Sequence, residues 1–216
     1  FLDIAQRRAP FDLSPYPFLV DMLPENASLE GFLFPDTYRL PLDADAATLV
    51  DMMLRNFGER VTPDLRQTLT ANGLNLYEAV TLASIVEREA PLDDERPRVA
   101  AVFYNRLAQD MPLQADPTVQ YAVGFDDASN TWWKSPLTQA DLDLPSPYNT
   151  YLNRGLPPGP IANPGLSALE AVAFPLQSNE LFFVADCGGQ VGQEGAHLFS
   201  ETYEEHLANV ERCRQQ

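Results

Sequence analysis

The sequence predicts an α+β domain that is mostly helical and carries one small β-hairpin. Three observations predict it. Successive stretches are bounded by helix caps and helix stops, one glycine-rich turn separates two short apolar runs, and the chain is 45% hydrophobic with 10% aromatic residues. At 216 residues such a chain buries a real core.

Residues 1–28 contain Pro10, Pro15, Pro17 and Pro24 and read as an irregular lead-in, the tail of a preceding domain. A compact unit is expected to begin at Leu29. Asp45 to Phe57 is predicted as an amphipathic helix with Leu49, Met52, Met53 and Phe57 on one face. Pro63 to Ala71 is a second helix, started by Thr62 and stopped by Asn72-Gly73. The third runs from Leu76 to Ala90, because Asn75 and Glu78 have the spacing of a capping box and Pro91 ends it. A fourth covers Pro97 to Ala108. Asp116-Pro117 offers an N-cap followed by proline at the first helical position, for a short helix stopped by Gly124.

Seven prolines lie between residues 135 and 165, beside Tyr148, Asn149, Tyr151 and Asn153, a composition suited to a shaped binding loop. Asn163-Pro164 is expected to open a helix through Phe174. Leu181 to Asp186 is a short strand, Gly188 to Gly195 a loose turn, and His197-Leu198-Phe199 the return strand. Ser200 or Thr202 caps a last helix to Arg212.

Composition excludes several functions. With 31 Asp and Glu against 14 Lys and Arg, the formal charge of −17 excludes a nucleic-acid partner, which needs clustered cations. It also opposes adsorption to an anionic lipid surface. No apolar stretch reaches the ~18 residues of a membrane span. The chain opens at Phe1 without a methionine and reads as a piece of a longer protein. Cys187 and Cys213 could form one bridge in an oxidising compartment, and their spacing is not that of metal ligands. Two isolated histidines do not make a metal site: His197 reads as a hairpin residue bonded to a backbone carbonyl, His206 as a helix-packing one. Lys134 is the single lysine and sits in a polar run, which argues against pyridoxal-phosphate chemistry, since that cofactor needs a Schiff-base lysine. No cofactor is expected.

One carboxylate stands out. On a helical wheel advancing ~100° per residue from Leu76, Glu87 falls inside the apolar arc between Ala83 and Val80. Glu78, Thr81, Ser84, Arg88 and Glu89 fall on the opposite side. A carboxylate on the apolar arc either snorkels out to solvent, or pairs with a buried arginine, such as Arg96 or Arg106, or lines a cleft, where desolvation suits it to general acid work. Tyr104, Asn105, Gln114, Tyr148, Asn149 and Tyr151 are amide and aromatic residues of the kind that grip sugars.

The strings Leu29-Glu30-Gly31, Pro35-Asp36-Thr37-Tyr38, Leu82 to Glu89, Val102 to Leu107, Leu113 to Val119, Ser146 to Tyr151, Gly155 to Ile161, Asn163-Pro164-Gly165 and His197 to Ser200 occur in that order. In this they resemble the endolytic murein transglycosylase family, the YceG-like proteins, over residues 29–212. The resemblance implies a lysozyme-like catalytic domain over 29–216, with residues 1–28 a lead-in or a remnant of a small LysM-like domain. It implies cleavage of peptidoglycan glycan strands between N-acetylmuramic acid and N-acetylglucosamine, with Glu87 as acid and then base and a 1,6-anhydro ring as product. Asn105, Gln114, Tyr148, Asn149 and Tyr151 are the expected substrate-binding residues. It also implies a single-pass membrane anchor missing from this chain, a location on the cell-wall side, and peptidoglycan synthases as partners. Asp116, were it to enter the cleft, would make a hydrolase pair with Glu87, but its Asp-Pro context favours a helix cap. The alternative to an enzyme is a non-catalytic glycan-binding or scaffolding module of the wall-synthesis machinery.

Overall fold

A computed structural model of the chain describes residues 1–20, 22–187, 189, 191 and 194–214. Among them the helices are α1 (Leu2–Ala5), α2 (Pro17–Val20), α3 (Ala46–Arg60), α4 (Pro63–Ala71), α5 (Leu76–Glu89), α6 (Arg96–Ala108), α7 (Asp116–Val123), α8 (Gln139–Leu142), α9 (Leu166–Ala173) and α10 (Tyr203–Arg214). A 3-10 turn, Asp93–Glu95, leads into α6, and strands β1 (Phe182–Ala185) and β2 (His197–Ser200) lie between α9 and α10. The mixed, mostly helical class expected from the sequence is the class observed.

The capping box sets where α5 begins. The Glu78 N–H donates to Asn75 Oδ1 at 3.0 Å, and the Asn75 N–H donates to Glu78 Oε2 at 2.8 Å. From Leu76 to Val86 the helix is almost wholly buried, and α4, α6, α7 and α9 all pack on it. Its polar face is buried as well. Thr81 and Ser84 return their hydroxyls to the carbonyls of Tyr77 and Thr81, which removes the cost of leaving them unpaired. Ser84 Oγ also accepts the Ile161 N–H, fastening the proline-rich segment to the helix.

The segment opening at Leu29 threads between α5 and that proline-rich loop. Gly31 has φ +91°, and a side chain there would collide with Pro160 and Val80, so only glycine fits. Asn163 Oδ1 accepts the N–H groups of Gly31 at 2.8 Å and Leu33 at 3.2 Å. Asn163 is therefore occupied as a clasp, and α9 starts three residues later than expected, at Leu166 with Gly165 as its N-cap. Residues from the lead-in, Ala5, Tyr16 and Leu19, belong to the same core as Leu54, Phe57, Val80 and Leu169.

Two further expectations shift. The buried face of α3 is Val50, Leu54 and Phe57, one residue round from the Leu49, Met52, Met53 face. Asp116 does not cap α7; Ala115 holds that position, and Asp116 is the first helical residue with its carboxylate free to point elsewhere. β1 and β2 pair antiparallel from Phe182 opposite Ser200 to Ala185 opposite His197. Of the expected glycine-rich turn, residues 188, 190, 192 and 193 lie outside the described residues. Cys187 and Cys213 form a disulfide that ties the end of β1 to α10. His206, on α10, stacks on Phe182 with ring centroids 5.3 Å apart. No described helix is long and apolar enough to cross a membrane.

Candidate active site

The C-terminal ends of α5 and α6, the N-terminal end of α7, and both strands converge on a cavity of about 380 Å³. Glu89, Arg106, Gln114, Asp116, Tyr151 and His197 supply its polar lining, and Leu113, Phe183, Val184 and Ala185 the apolar part.

Bonds to backbone carbonyls place Arg106 and Gln114. Arg106 spends its guanidinium on carbonyls, Nε on Leu181 at 2.6 Å and Nη1 on Leu113 at 2.7 Å, so it braces the wall and leaves its charge inside. Thr150 anchors the approach to α7: its Oγ1 accepts the Ala115 N–H at 3.0 Å and meets Thr118 Oγ1 at 2.8 Å, and its carbonyl accepts the Gln114 N–H. That anchoring holds Gln114 at φ +49°, a left-handed conformation that costs a non-glycine residue energy and is kept only by its surroundings. Tyr151 donates its hydroxyl to Asp116 Oδ1 at 2.5 Å. Burial and the Asp116 carboxylate both push the Tyr151 phenol up, so it stays a donor across the physiological range.

Glu89 is the chemically distinctive group. Burial of its carboxyl raises it to about 8, the negative charge of Asp116 pushes the same way, and the Arg106 cation and an Asp116 backbone hydrogen bond only partly oppose this. It is a carboxylic acid that holds its proton at neutral pH.

Glu87, two residues earlier, is placed differently. Arg96 Nη2 lies 3.2 Å from its Oε1, and the Gly165 N–H donates to its Oε2 at 3.0 Å. Arg96 is itself buried and also pairs with Asp93 at 2.8 Å. Glu87 thus joins α5 to the starts of α6 and α9, with both oxygens engaged. Of the readings of a carboxylate on the apolar arc, pairing with Arg96 is the one this geometry shows.

Of the residues expected to bind substrate, Gln114 and Tyr151 line the cavity. Asn105 does not; its Nδ2 donates at 2.9 Å to the carbonyls of both Ser178 and Glu180, holding the chain ahead of β1. Asn149 is fully buried, with Nδ2 on the Leu142 and Leu144 carbonyls and Oδ1 accepting the Tyr151 N–H, so it shapes the loop and does not line this cavity. Tyr148 packs on Tyr121, centroids 4.8 Å apart, and faces a separate groove of about 370 Å³ with Tyr77, Pro158 and Pro160. Asp116, expected as a helix cap, enters the cavity instead. Lys134 is salt-bridged to Asp141 at 2.8 Å and takes no part. Among the described residues no three His, Cys, Asp or Glu side chains converge as a metal-ion site.

The helical wheel groups Glu89 with the residues opposite the apolar arc, so periodicity does not single it out. On that side Thr81 and Ser84 are buried, Arg88 is exposed, and Glu89 reaches into the cavity, so polarity there does not by itself mean exposure. The only sequence signal touching it is the Ile-Val-Glu-Arg-Glu string, which holds both glutamates and does not separate them.

The sequence profile of the YceG-like family matches residues 4–212. The chain belongs to the YceG-like family. A protein of Bacillus subtilis named endolytic murein transglycosylase is 38% identical over 179 residues, covering 82% of this chain and 46% of the relative. A Streptococcus pneumoniae protein of the same name is 36% identical over 203 residues, covering 92% of this chain and 35% of the relative. The chain therefore spans less than half the length of these curated relatives. The crystal structure of a yceG-like protein from Listeria monocytogenes superimposes with a TM-score of 0.71 at 41% identity, covering 83% of this chain and 54% of that one. The α5–α7 scaffold and the hairpin are thus those of a YceG-like fold.

Proposed function

We propose that this chain is the catalytic part of an endolytic lytic transglycosylase that cuts peptidoglycan glycan strands, with Glu89 rather than Glu87 as its acid and base. The observation that carries the reading is the Glu89 carboxyl raised to about 8 inside a cavity lined by amide, phenol and carboxylate groups. The names borne by the relatives supply the substrate class.

The chemistry needs one proton carrier. Glu89 gives its proton to the glycosidic oxygen as the bond to the muramyl C1 breaks. The resulting carboxylate then takes the proton of the muramyl C6 hydroxyl, whose oxygen closes on C1 to form the 1,6-anhydro ring. No water is consumed, and Glu89 ends protonated as it began. The Asp116 carboxylate would stabilise the positive charge that builds on C1 and the ring oxygen. Gln114 and Tyr151 would orient the sugar. The disulfide fits an oxidising, extracytoplasmic location. The single-pass anchor and the synthase partners implied by the resemblance belong to this reading too.

A second reading is favoured by Asp116 standing in the same cavity: a hydrolase pair, with Asp116 as nucleophile or base. Mass spectrometry of products from purified glycan strands separates the two. Muramyl ends lighter by one water than reducing ends, lost with E89Q and retained with E87Q, support the transglycosylase. Reducing ends make the chain a hydrolase, and loss with E87Q but not E89Q returns the acid to Glu87.

A further inference from the structure

The mechanism above uses nothing from β2, yet β2 brings an imidazole into the cavity and the protein holds that ring at two points. His197 Nδ1 lies 2.7 Å from Glu95 Oε2, and the His197 main-chain N–H donates to Glu95 Oε1 at 3.0 Å. Both side chains are largely buried, at 10% and 15% exposure. The ring is set edge-on against Phe183, with centroids 5.4 Å apart, and lies near Phe199.

We propose that His197 is a substrate-contacting residue of this cavity, held by Glu95 so that ring Nε2 offers a hydrogen-bond acceptor to a hydroxyl or amide N–H of the bound glycan. The proposal rests on the glycan-cleavage reading of the cavity and deepens it.

The partner selects the tautomer. In the neutral imidazole one ring nitrogen carries the hydrogen and the other the lone pair, and a carboxylate oxygen facing Nδ1 favours the hydrogen there, which leaves the lone pair on Nε2. Among the described residues Nε2 makes no hydrogen bond, and it is not one of the buried polar atoms shut away without a partner. The ring lines the same cavity as Glu89, Gln114 and Asp116. Its acceptor is therefore open to whatever fills that space.

Glu95 holds both the backbone and the ring of His197. The main-chain bond alone would fix the backbone of β2 to the turn before α6. The second bond, to Nδ1, satisfies a buried ring nitrogen and at the same time fixes the rotation of the ring, and with it the direction of Nε2. Glu95 is set for this by the 3-10 turn Asp93–Glu95, directly before α6. Arg98, a cation that feels the Glu95 charge, is bonded to Glu180 through Nε at 2.8 Å, and the imidazole is the group hydrogen-bonded to the Glu95 carboxylate. Charged Lys or Arg donors are otherwise spent at this site: Arg106 is on carbonyls, which leaves amide, phenol and imidazole to meet a neutral sugar.

The decisive measurement is the ring ¹⁵N spectrum of His197 in the intact chain, titrated with soluble glycan fragments released from purified peptidoglycan strands. Nδ1 is expected with the shift of a protonated nitrogen and Nε2 with that of an unprotonated one, and Nε2 is expected to move on adding the fragments while Nδ1 holds. An unmoved Nε2, or a proton found on Nε2 instead of Nδ1, overturns the proposal. Kinetics give the second readout. H197A is expected to lower kcat on glycan strands by about 100-fold with anhydro-muramyl products unchanged, the scale of a mispositioned substrate. Added imidazole is expected to restore part of the H197A rate with saturating dependence, and E95Q to show a smaller loss in the same direction. Wild-type kcat and KM in H197A overturn the proposal, as does a loss that follows a lowered Tm and is not relieved by imidazole. Failure of wild type to cleave strands is a different result: it removes the cleavage reading, while the Nε2 titration still decides whether this ring meets glycan.

Discussion

Glu87 and Glu89 are neighbours on one helix, and the two regions they enter differ in nearly every physical respect. On the Glu87 side, three elements close around an ion pair and a backbone N–H, and the carboxylate works as a latch between α5, α6 and α9. On the Glu89 side, the walls are α7, the proline-rich loop and the hairpin, they leave a cavity of about 380 Å³, and the carboxyl is raised to about 8. Same residue, same helix, different surroundings: Glu87 is paired with an arginine and a backbone N–H, whereas burial and the Asp116 charge raise the Glu89 carboxyl. A turn of about 200° between positions two apart is all that separates them.

The strongest way to break this contrast is to remove each carboxylate in turn. E89Q is expected to lower cleavage of glycan strands by about 100-fold or more, the usual reach of a general acid, with E87Q within about threefold of wild type. Product release followed by mass spectrometry checks it, and equal losses in both variants would erase the distinction.

The next effect is on pH. Glu89 must be protonated to act, so kcat/KM is expected to fall about tenfold for each pH unit above about 8. The same shift is a stability statement. Its folded value lies above the ordinary 4.5, so the stabilising contribution is complete below pH 4.5 and is lost as pH rises through about 8. Urea melts of wild type and E89Q across that window should converge at low pH, with E89Q the more stable above pH 8.

Breaking the latch should move stability and spare chemistry. R96A removes the partner of Glu87 and the side-chain bond from Arg96 Nε to the Ala90 carbonyl at 3.2 Å. A loss of about 2 kcal/mol is expected in urea unfolding, discounted for the partial exposure of Glu87, with the anhydro product still made. The smallest effect tests the helix both glutamates share. N75A deletes the cap of α5 and should cost about 1 kcal/mol without altering the pH profile, because the cap lies at the far end of the helix from Glu89.

Local sequence chemistry determined where the elements are. Asn75 with Glu78, Thr62 with Pro63, and Asn72-Gly73 mark helix ends through bonds made within a few residues, so the starts of α4 and α5 could be read directly. The short hairpin was legible for the same reason. What could not be read is which polar residue belongs to the fold and which to the site. Asn149 and Asn105 look like sugar ligands in the sequence and are spent on carbonyls up to 75 residues away. Asn163 and Asp116 look like helix caps; one clasps the Leu29 segment and the other faces the cavity. The wheel assigned Glu89 to solvent on the assumption that α5 has one wet face, and it has none over most of its length. Periodicity reports how a helix is half-buried, and it carries no information once every side is packed. Only the tertiary structure, by bringing α7, β1 and β2 against the end of α5, placed Glu89 in a cavity beside Asp116 and Glu87 against Arg96, because the surroundings of a carboxylate are set by elements distant in sequence.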